Sequence, residues 1–282
     1  MTVVTKAPTP ANVWQGTVDL YIDVTAPASA VPAVNADEVA LDANGQPSTT
    51  SQGVTAATNA TPIVLTVTSS AAFNNGELAT VSSVGGNTNA NGIWATTIPT
   101  GGTTIQLNGS AGNAVYTVGG TIMQGAHVGL LEGPTTCTLT CKIDGIGSDT
   151  FEDEHDAALA SLEVEIDTVM KESDLAKFLA MTSNPNYGNF ASLGVTGTGT
   201  LGVQMGGAQS ASMQKHRLMF VGPQRNVPGQ WIYVFLFVGY NDAPCQITFS
   251  RAKANLWKVK FVGLANLTRT AGDEVAHIVW VL

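Results

Sequence analysis

Between Gly53 and Gly125 the chain carries one charged side chain, Glu77, while the segments on either side are charged again. So little charge in the middle of a chain limits what that stretch can become. It must fold with Ser, Thr, Asn and Gly as its solvated surface, and its apolar residues must supply a core of their own. The runs PIVLTVT (Pro62–Thr68), ELATVSSV (Glu77–Val84), GIWATTI (Gly92–Ile98), TTIQL (Thr103–Leu107) and VYTV (Val115–Val118) are rich in β-branched residues with partial period-two alternation. Asn- and Gly-rich turns separate them, the signature of short strands in a compact all-β sandwich or barrel. The two flanks therefore read as one domain interrupted by an inserted module, divided as residues 1–52, 53–125 and 126–282. A nearly neutral surface cannot steer nucleic acid by charge, and the module holds no acid, base or nucleophile constellation.

The whole chain of 282 residues can bury one or two cores. Its net charge of −9 excludes a polyanion binder that works by a basic surface. Met1–Ala11 lacks a basic region followed by an apolar core, and the longest apolar run, WIYVFLFV (Trp231–Val238), is too short to span a bilayer as a helix. The expectation is a protein without a membrane span that stays in the cytoplasm until assembly. Three cysteines give no closed disulfide set. Cys137 and Cys141, about 13 Å apart at the rise of a strand, are beyond bridging reach and read as small core residues, with an interchain disulfide at Cys245 left open.

Around the module lies a second set of elements. An extended arm to about Gln15 precedes VDLYIDV (Val18–Val24), an alternating strand. After the module, TTCTLTCKI reads as a strand, EDEHD (Glu152–Asp156) as a solvated acidic loop, and SLEVEID (Ser161–Asp167) as a strand with Leu162, Val164 and Ile166 on one face. Its other face carries Glu163, Glu165 and Asp167. A short helix is expected over 172–181, with Ser173 as N-cap and NPNYGN as its stop. The last third reads as strands: HRLMFV, WIYVFLFVGY, APCQITFSRA, NLWKVKFVGLAN and VAHIVWVL, with Lys258 and Lys260 sharing one face.

Charge is segregated along this frame. Residues 144–174 hold eleven acids and one base, whereas residues 215–269 hold eight bases and one acid. The two stretches can pair within one subunit, or between neighbouring subunits with Arg251, Lys253, Lys258 and Lys260 as the contact residues.

Catalytic and metal motifs fail on context. Gly197, Gly199 and Gly202 match GxGxxG, but no convincing strand precedes them and no acid lies at the required distance. The four histidines are scattered without metal spacing. No catalytic, cofactor or metal residue is assigned, and the expectation is a protein that is not an enzyme.

Two resemblances add to these readings. GVTAATNATPIVLTVTSS, GELATVSSVGGNTNANGIWATTI and TTIQLNGSAGNAVYTVGG resemble a module that recurs in phage and prophage virion proteins. The surrounding frame, Val18–Asp42 and His127–Leu282, resembles a bacteriophage major tail tube protein in its order of elements, ending in KVKFVGLAN. That resemblance implies a mainly β fold, a tail-tube-like barrel or sandwich with one short flanking helix, built into stacked hexameric rings in the tail of a virion. It also implies tape-measure, terminator and baseplate partners, a sheath left open, and double-stranded DNA in passage without specific binding. Glu163, Glu165 and Asp167 would then line the lumen, since a wall of carboxylates repels the duplex where basic residues would grip it. A capsid decoration or connector protein, or a surface-binding adhesin using Phe73, Trp94 and Tyr116, would fit the same composition.

Overall fold

The structure, a computed structural model, describes residues 18–26, 41, 46–129, 131–148, 151–171, 177, 180, 182, 190–192, 201–203, 213–223, 230–242, 256–270 and 274–281. It is mainly β and contains an eight-stranded sheet and a separate closed barrel of six strands. The sheet draws on both sides of the chain's neutral middle. Strand β1 (Asp19–Ile22) precedes the barrel, while β8 (Ala126–His127), β9 (Thr136–Ser148), β10 (Phe151–Met170), β13 (His216–Pro223), β14 (Trp231–Asn241), β15 (Trp257–Gly263) and β16 (Ala276–Val281) follow it. A two-stranded pair, β11 (Phe190–Ser192) and β12 (Leu201–Val203), stands outside both.

The sheet order is β8-β1-β13-β14-β15-β10-β9, with β16 also paired to β14. β14 is shared lengthwise: Trp231–Leu236 pairs with β16, and Gly239–Asn241 pairs with β15. Near-continuous apolar runs such as WIYVFLFV suit strands buried on both faces. One face of β13 and β14 gives Leu218, Phe220 and Leu236 to a core that also takes Leu20, Ile22, Val164, Ile166, Val259 and Phe261. The opposite face gives Met219, Val221, Tyr233, Phe235 and Phe237 to a second core with Tyr21 and Val24.

The barrel lies between β1 and β8, which are themselves neighbours: Tyr21 faces His127 and Ile22 faces Ala126. The chain therefore leaves the sheet and re-enters it at adjacent strands, as an inserted unit requires. Its strands are β2 (Ser51–Ala57), β3 (Ile63–Val67), β4 (Leu78–Ser82), β5 (Gly92–Thr97), β6 (Thr104–Leu107) and β7 (Thr121–Gln124). They close in the order β2-β3-β6-β5-β4-β7, so no strand edge is left open. Ile63, Leu65, Val67, Ala79, Val81, Ile105, Leu107 and Ile122 fill the interior. Alternation along β4 sends Ala79 and Val81 inward, while Leu78 turns outward and joins the sheet's core with Ala95 of β5.

One expectation inside the barrel is corrected. Val115–Val118 is not a strand: Val115 and Val118 are exposed, and the segment is held as a loop by Gly85 N donating to Val118 O and Thr117 N donating to Gly85 O. Gly119 and Gly120, both at positive φ, turn the chain before β7. The barrel is closed instead by β2 and β7, which pair with each other across Ser51–Met123 and Gly53–Thr121.

The acidic stretch also folds differently from its expected loop. EDEHD is part of β10, a strand of twenty residues that pairs with β9 from Phe151 to Asp167. β10 meets β15 only over Glu165–Met170, so the hairpin extends past the sheet as a two-stranded ribbon. A mixed polar strand of this kind has no apolar alternation to announce it, and its hydrogen bonds come from the partner strand. Of the helix expected over 172–181, Lys177 and Ala180 are helical, and the rest lies outside the described residues, as do the arm, APCQITFSRA and Cys245.

Candidate functional site

Strand β10 turns Glu163, Glu165 and Asp167 to one face and buries Val164 and Ile166 on the other. Across the ladders the three acids sit opposite Thr140, Thr138 and Thr136 of β9. On the other side, Asp167 is opposite Lys260 of β15, and Val169 is opposite Lys258. Lys260 Nζ reaches Glu165 Oε1 at 2.7 Å. Its hydrogen bond to Glu165, helped by the charges of Glu165, Asp167 and Asp242, holds the Lys260 ammonium above its ordinary value against the opposing effect of burial. Backbone of Lys260 is fixed as well, its N–H donating to Asn241 Oδ1 at 3.1 Å.

Lys260, expected to reach a neighbouring subunit, is thus engaged within its own chain by one of the expected lumen acids. The pairing within one subunit is realised for this pair. The face is a Thr ladder beside three carboxylates and two ammonium groups, so the patch nets one negative charge where the acidic strand alone suggested three. Lys258 lies exposed on the same face, while Arg251 and Lys253 lie outside the described residues.

The apolar face of the same hairpin runs on beyond the core. Leu139 and Leu162 follow Val164 outward and are 48% and 41% exposed. Opposite Leu162 stands Cys141, exposed, and further in, opposite Ile166, stands Cys137, half-buried with its thiol pushed up by burial. Cys141 is therefore not a core residue: it sits where the ribbon has left the sheet, and only the inner cysteine finds cover. Among the described residues β9 pairs with β10 alone and leaves its other edge open.

A second constellation, which the sequence did not point to, joins barrel and sheet. Asp23, at the end of β1, is fully buried and takes a positive φ of 57°. Its carboxylate accepts from Leu78 N at 2.8 Å, from His216 Nδ1 at 2.9 Å and from Arg217 N at 3.3 Å. The Asp23 backbone closes the ring, N donating to Arg217 O at 2.8 Å and O accepting from Arg217 Nη2 at 3.2 Å. Arg217 Nη2 also donates to Glu77 Oε2 at 2.6 Å. Burial, reinforced by the negative charge of Asp23, pushes the Glu77 carboxyl above its ordinary value, with Arg217, Asn74 and Gln124 pulling the other way. The barrel's one charged residue is thus spent on its attachment to the sheet.

Beside this cluster, Thr25 Oγ1 donates to Gln124 Oε1 at 2.9 Å and Thr50 N donates to Thr25 Oγ1 at 2.9 Å. Gly125, at φ +80°, lies so close to β1 that a Cβ would come within 2.7 Å of Ile22 O and Val24 N. The only sequence signal of this junction was Glu77 itself, a lone charge in a neutral segment.

The barrel's aromatic residues are occupied in its own structure. Phe73 is buried, Trp94 Nε1 donates to Ala90 O at 2.8 Å and Tyr116 OH donates to Val54 O at 2.9 Å. The Asn-rich turns likewise bond among themselves: Asn91 binds both backbone groups of Val84, and Asn87 Nδ2 donates to Thr58 O. Among the described residues no group of three His, Cys, Asp or Glu could hold a metal ion, and no helix is long and apolar enough to cross a membrane. No protein-family model matches the chain, and no curated protein matches its sequence.

Proposed function

We propose that the chain is a self-assembling structural protein of a phage-type tail tube, its copies forming rings that stack into a conduit for double-stranded DNA. The observation that carries this reading is the β9–β10 ribbon. Among the described residues it leaves the sheet with an open strand edge, and Leu139 and Leu162 extend the buried face of Val164 and Ile166 outward. A long uncovered edge with an apolar flank is a liability in a lone chain and a docking element in a polymer. A second copy laid along the ribbon would cover both.

The opposite face of the hairpin suits the wall of a conduit. Glu163, Glu165 and Asp167 stand among Thr136, Thr138 and Thr140, and Lys260 is occupied by Glu165. A face with slight negative charge, on which Glu165 engages Lys260 and Lys258 is the remaining ammonium among the described residues, gives the phosphate backbone little to grip. The barrel is anchored beside β1 and β8, at the far edge of the sheet from β9, so it would lie on the outside of such a ring. This reading assigns no catalytic step, cofactor or metal. The adhesin alternative is disfavoured because Phe73, Trp94 and Tyr116 are engaged in the barrel's own core and hydrogen bonds.

Negative-stain electron microscopy of the purified chain across a concentration series tests the proposal. Hollow tubes or stacked rings with a bore wide enough for a duplex are expected, with knobs on the outer wall. A chain that stays monomeric at every concentration, with or without a baseplate-like seed, would overturn it.

A further inference from the structure

We propose that Asp23, Glu77, His216 and Arg217 form a proton-linked clamp between barrel and sheet, which tightens when one proton is added and loosens as pH rises. This goes beyond the assembly reading and stands whether or not the chain forms tubes.

The geometry makes the four groups one unit. Asp23 and His216 have side chains 0% and 1% exposed, and Glu77 and Arg217 only 14% and 19%. Asp23 holds three donors, one of them the Leu78 N–H that starts β4 of the barrel. Leu78 O in turn accepts from Gly125 N, the residue that leads back into the sheet. Both backbone groups of one barrel residue are therefore fixed at the joint, and a change in the cluster's charge acts directly on the attachment.

Counting charge shows what the cluster lacks. With Asp23 and Glu77 ionised, Arg217 charged and His216 neutral, two negative charges face one positive charge inside the protein. An unbalanced buried charge is costly, and neighbouring carboxylates resist joint ionisation. One further proton balances the set. On His216 it would leave a buried N–H at Nε2, which has no partner. On Glu77 it relieves the burial of a charged carboxylate and its repulsion by Asp23, which outweigh the opposing pull of Arg217, Asn74 and Gln124. Lys215, the adjacent charged residue on β13's approach, is exposed and does not enter the cluster.

The direction follows from the raised Glu77 carboxyl. A group that binds its proton more tightly in the folded state than in the unfolded one stabilises the fold below the unfolded value, 4.5. That contribution is lost as pH rises through the folded value. The joint should therefore be firmest in mild acid and weakest in base.

Hydrogen exchange of the Leu78 amide in the full chain, corrected for intrinsic rate from about pH 5 to about pH 8, reads the clamp directly. Protection should fall with rising pH by about tenfold for each unit by which the Glu77 value is raised. Glu77→Gln, which carries the uncharged form at every pH, should flatten the profile while keeping Leu78 protected. A flat profile in the native chain, or an unchanged slope in Glu77→Gln, would overturn the proposal. Should that variant fail to fold, carbon-13 titration of the Glu77 carboxyl in the native chain decides: a midpoint above 4.5 is expected, and one at or below it refutes the clamp.

Discussion

Asp23 shows how much one side chain can hold in place. It sits in a backbone region that non-glycine residues avoid, yet no glycine could replace it, because its carboxylate is what Leu78 N, His216 Nδ1 and Arg217 N bind. Asp23→Ala removes the acceptor and leaves Arg217 and those donors inside, so unfolding by denaturant should reveal a loss of about 3 kcal/mol or more. Glu77→Gln should cost far less at neutral pH, since it removes one of two competing negative charges and keeps an acceptor for Arg217. Glycines allow a similar contrast. Gly125→Ala meets backbone within 2.7 Å in addition to its positive φ, whereas Gly133→Ala, at φ +79°, meets nothing within 4 Å. Gly133→Ala should therefore cost about 1 kcal/mol through φ alone. The same measurement on Gly125→Ala should give a clearly larger loss, and equal losses would remove the close approach from the account.

At the scale of elements, the β9–β10 ribbon separates stability from assembly. Leu139 and Leu162 are already half in water, so Leu139→Lys with Leu162→Lys should change the free energy of unfolding by only about 0.5 kcal/mol per site. The same pair should abolish tubes and rings in micrographs, and tubes that persist would remove the ribbon from the interface. Elements were legible in the sequence where period-two patterning met strong turns: four of the expected barrel strands, β1, and the apolar strands β13 to β16 follow their runs closely. VYTV misled because its β-branched residues suggest a strand, whereas its backbone bonds to Gly85 and the positive-φ Gly119 and Gly120 that follow it hold it as a loop. β2 and β7 were missed because SQGVTAA and TIMQ are short and pair with each other only in the closed barrel, Gly53 with Thr121 at 68 residues' distance in sequence. The EDEHD portion of β10 escaped for the complementary reason, a strand specified by its hairpin partner and not by its own side chains. The acidic face at Glu163, Glu165 and Asp167 was readable from alternation alone, while its neutralisation by Lys260 required the register that sets Asp167 opposite Lys260.

For the molecule as a whole, the question is whether an inserted barrel with its own closed core unfolds by itself. Its interior cluster of Ile63, Leu65, Ile105, Leu107 and Ile122 contains no residue of the sheet, which favours independence. Three features oppose it: Leu78 and Ala95 belong to the sheet's core, Asp23 supplies the acceptor for the first amide of β4, and Thr25 ties to Thr50 and Gln124 across the joint. Fully burying a leucine contributes about 1.5–3 kcal/mol, and breaking a buried charge cluster costs about as much again. Together these are a large share of the stability of an ordinary domain, about 5–15 kcal/mol. Barrel and sheet should therefore melt in one calorimetric transition near neutral pH, with the calorimetric and van't Hoff enthalpies equal. Asp23→Ala combined with Leu78→Ala should split that transition in two, since both the charge link and the apolar link are then gone while each body retains its own interior. Two transitions already present in the native chain would mean that the joint is too weak to couple the bodies, and one transition in the double variant would place the coupling elsewhere on the shared surface.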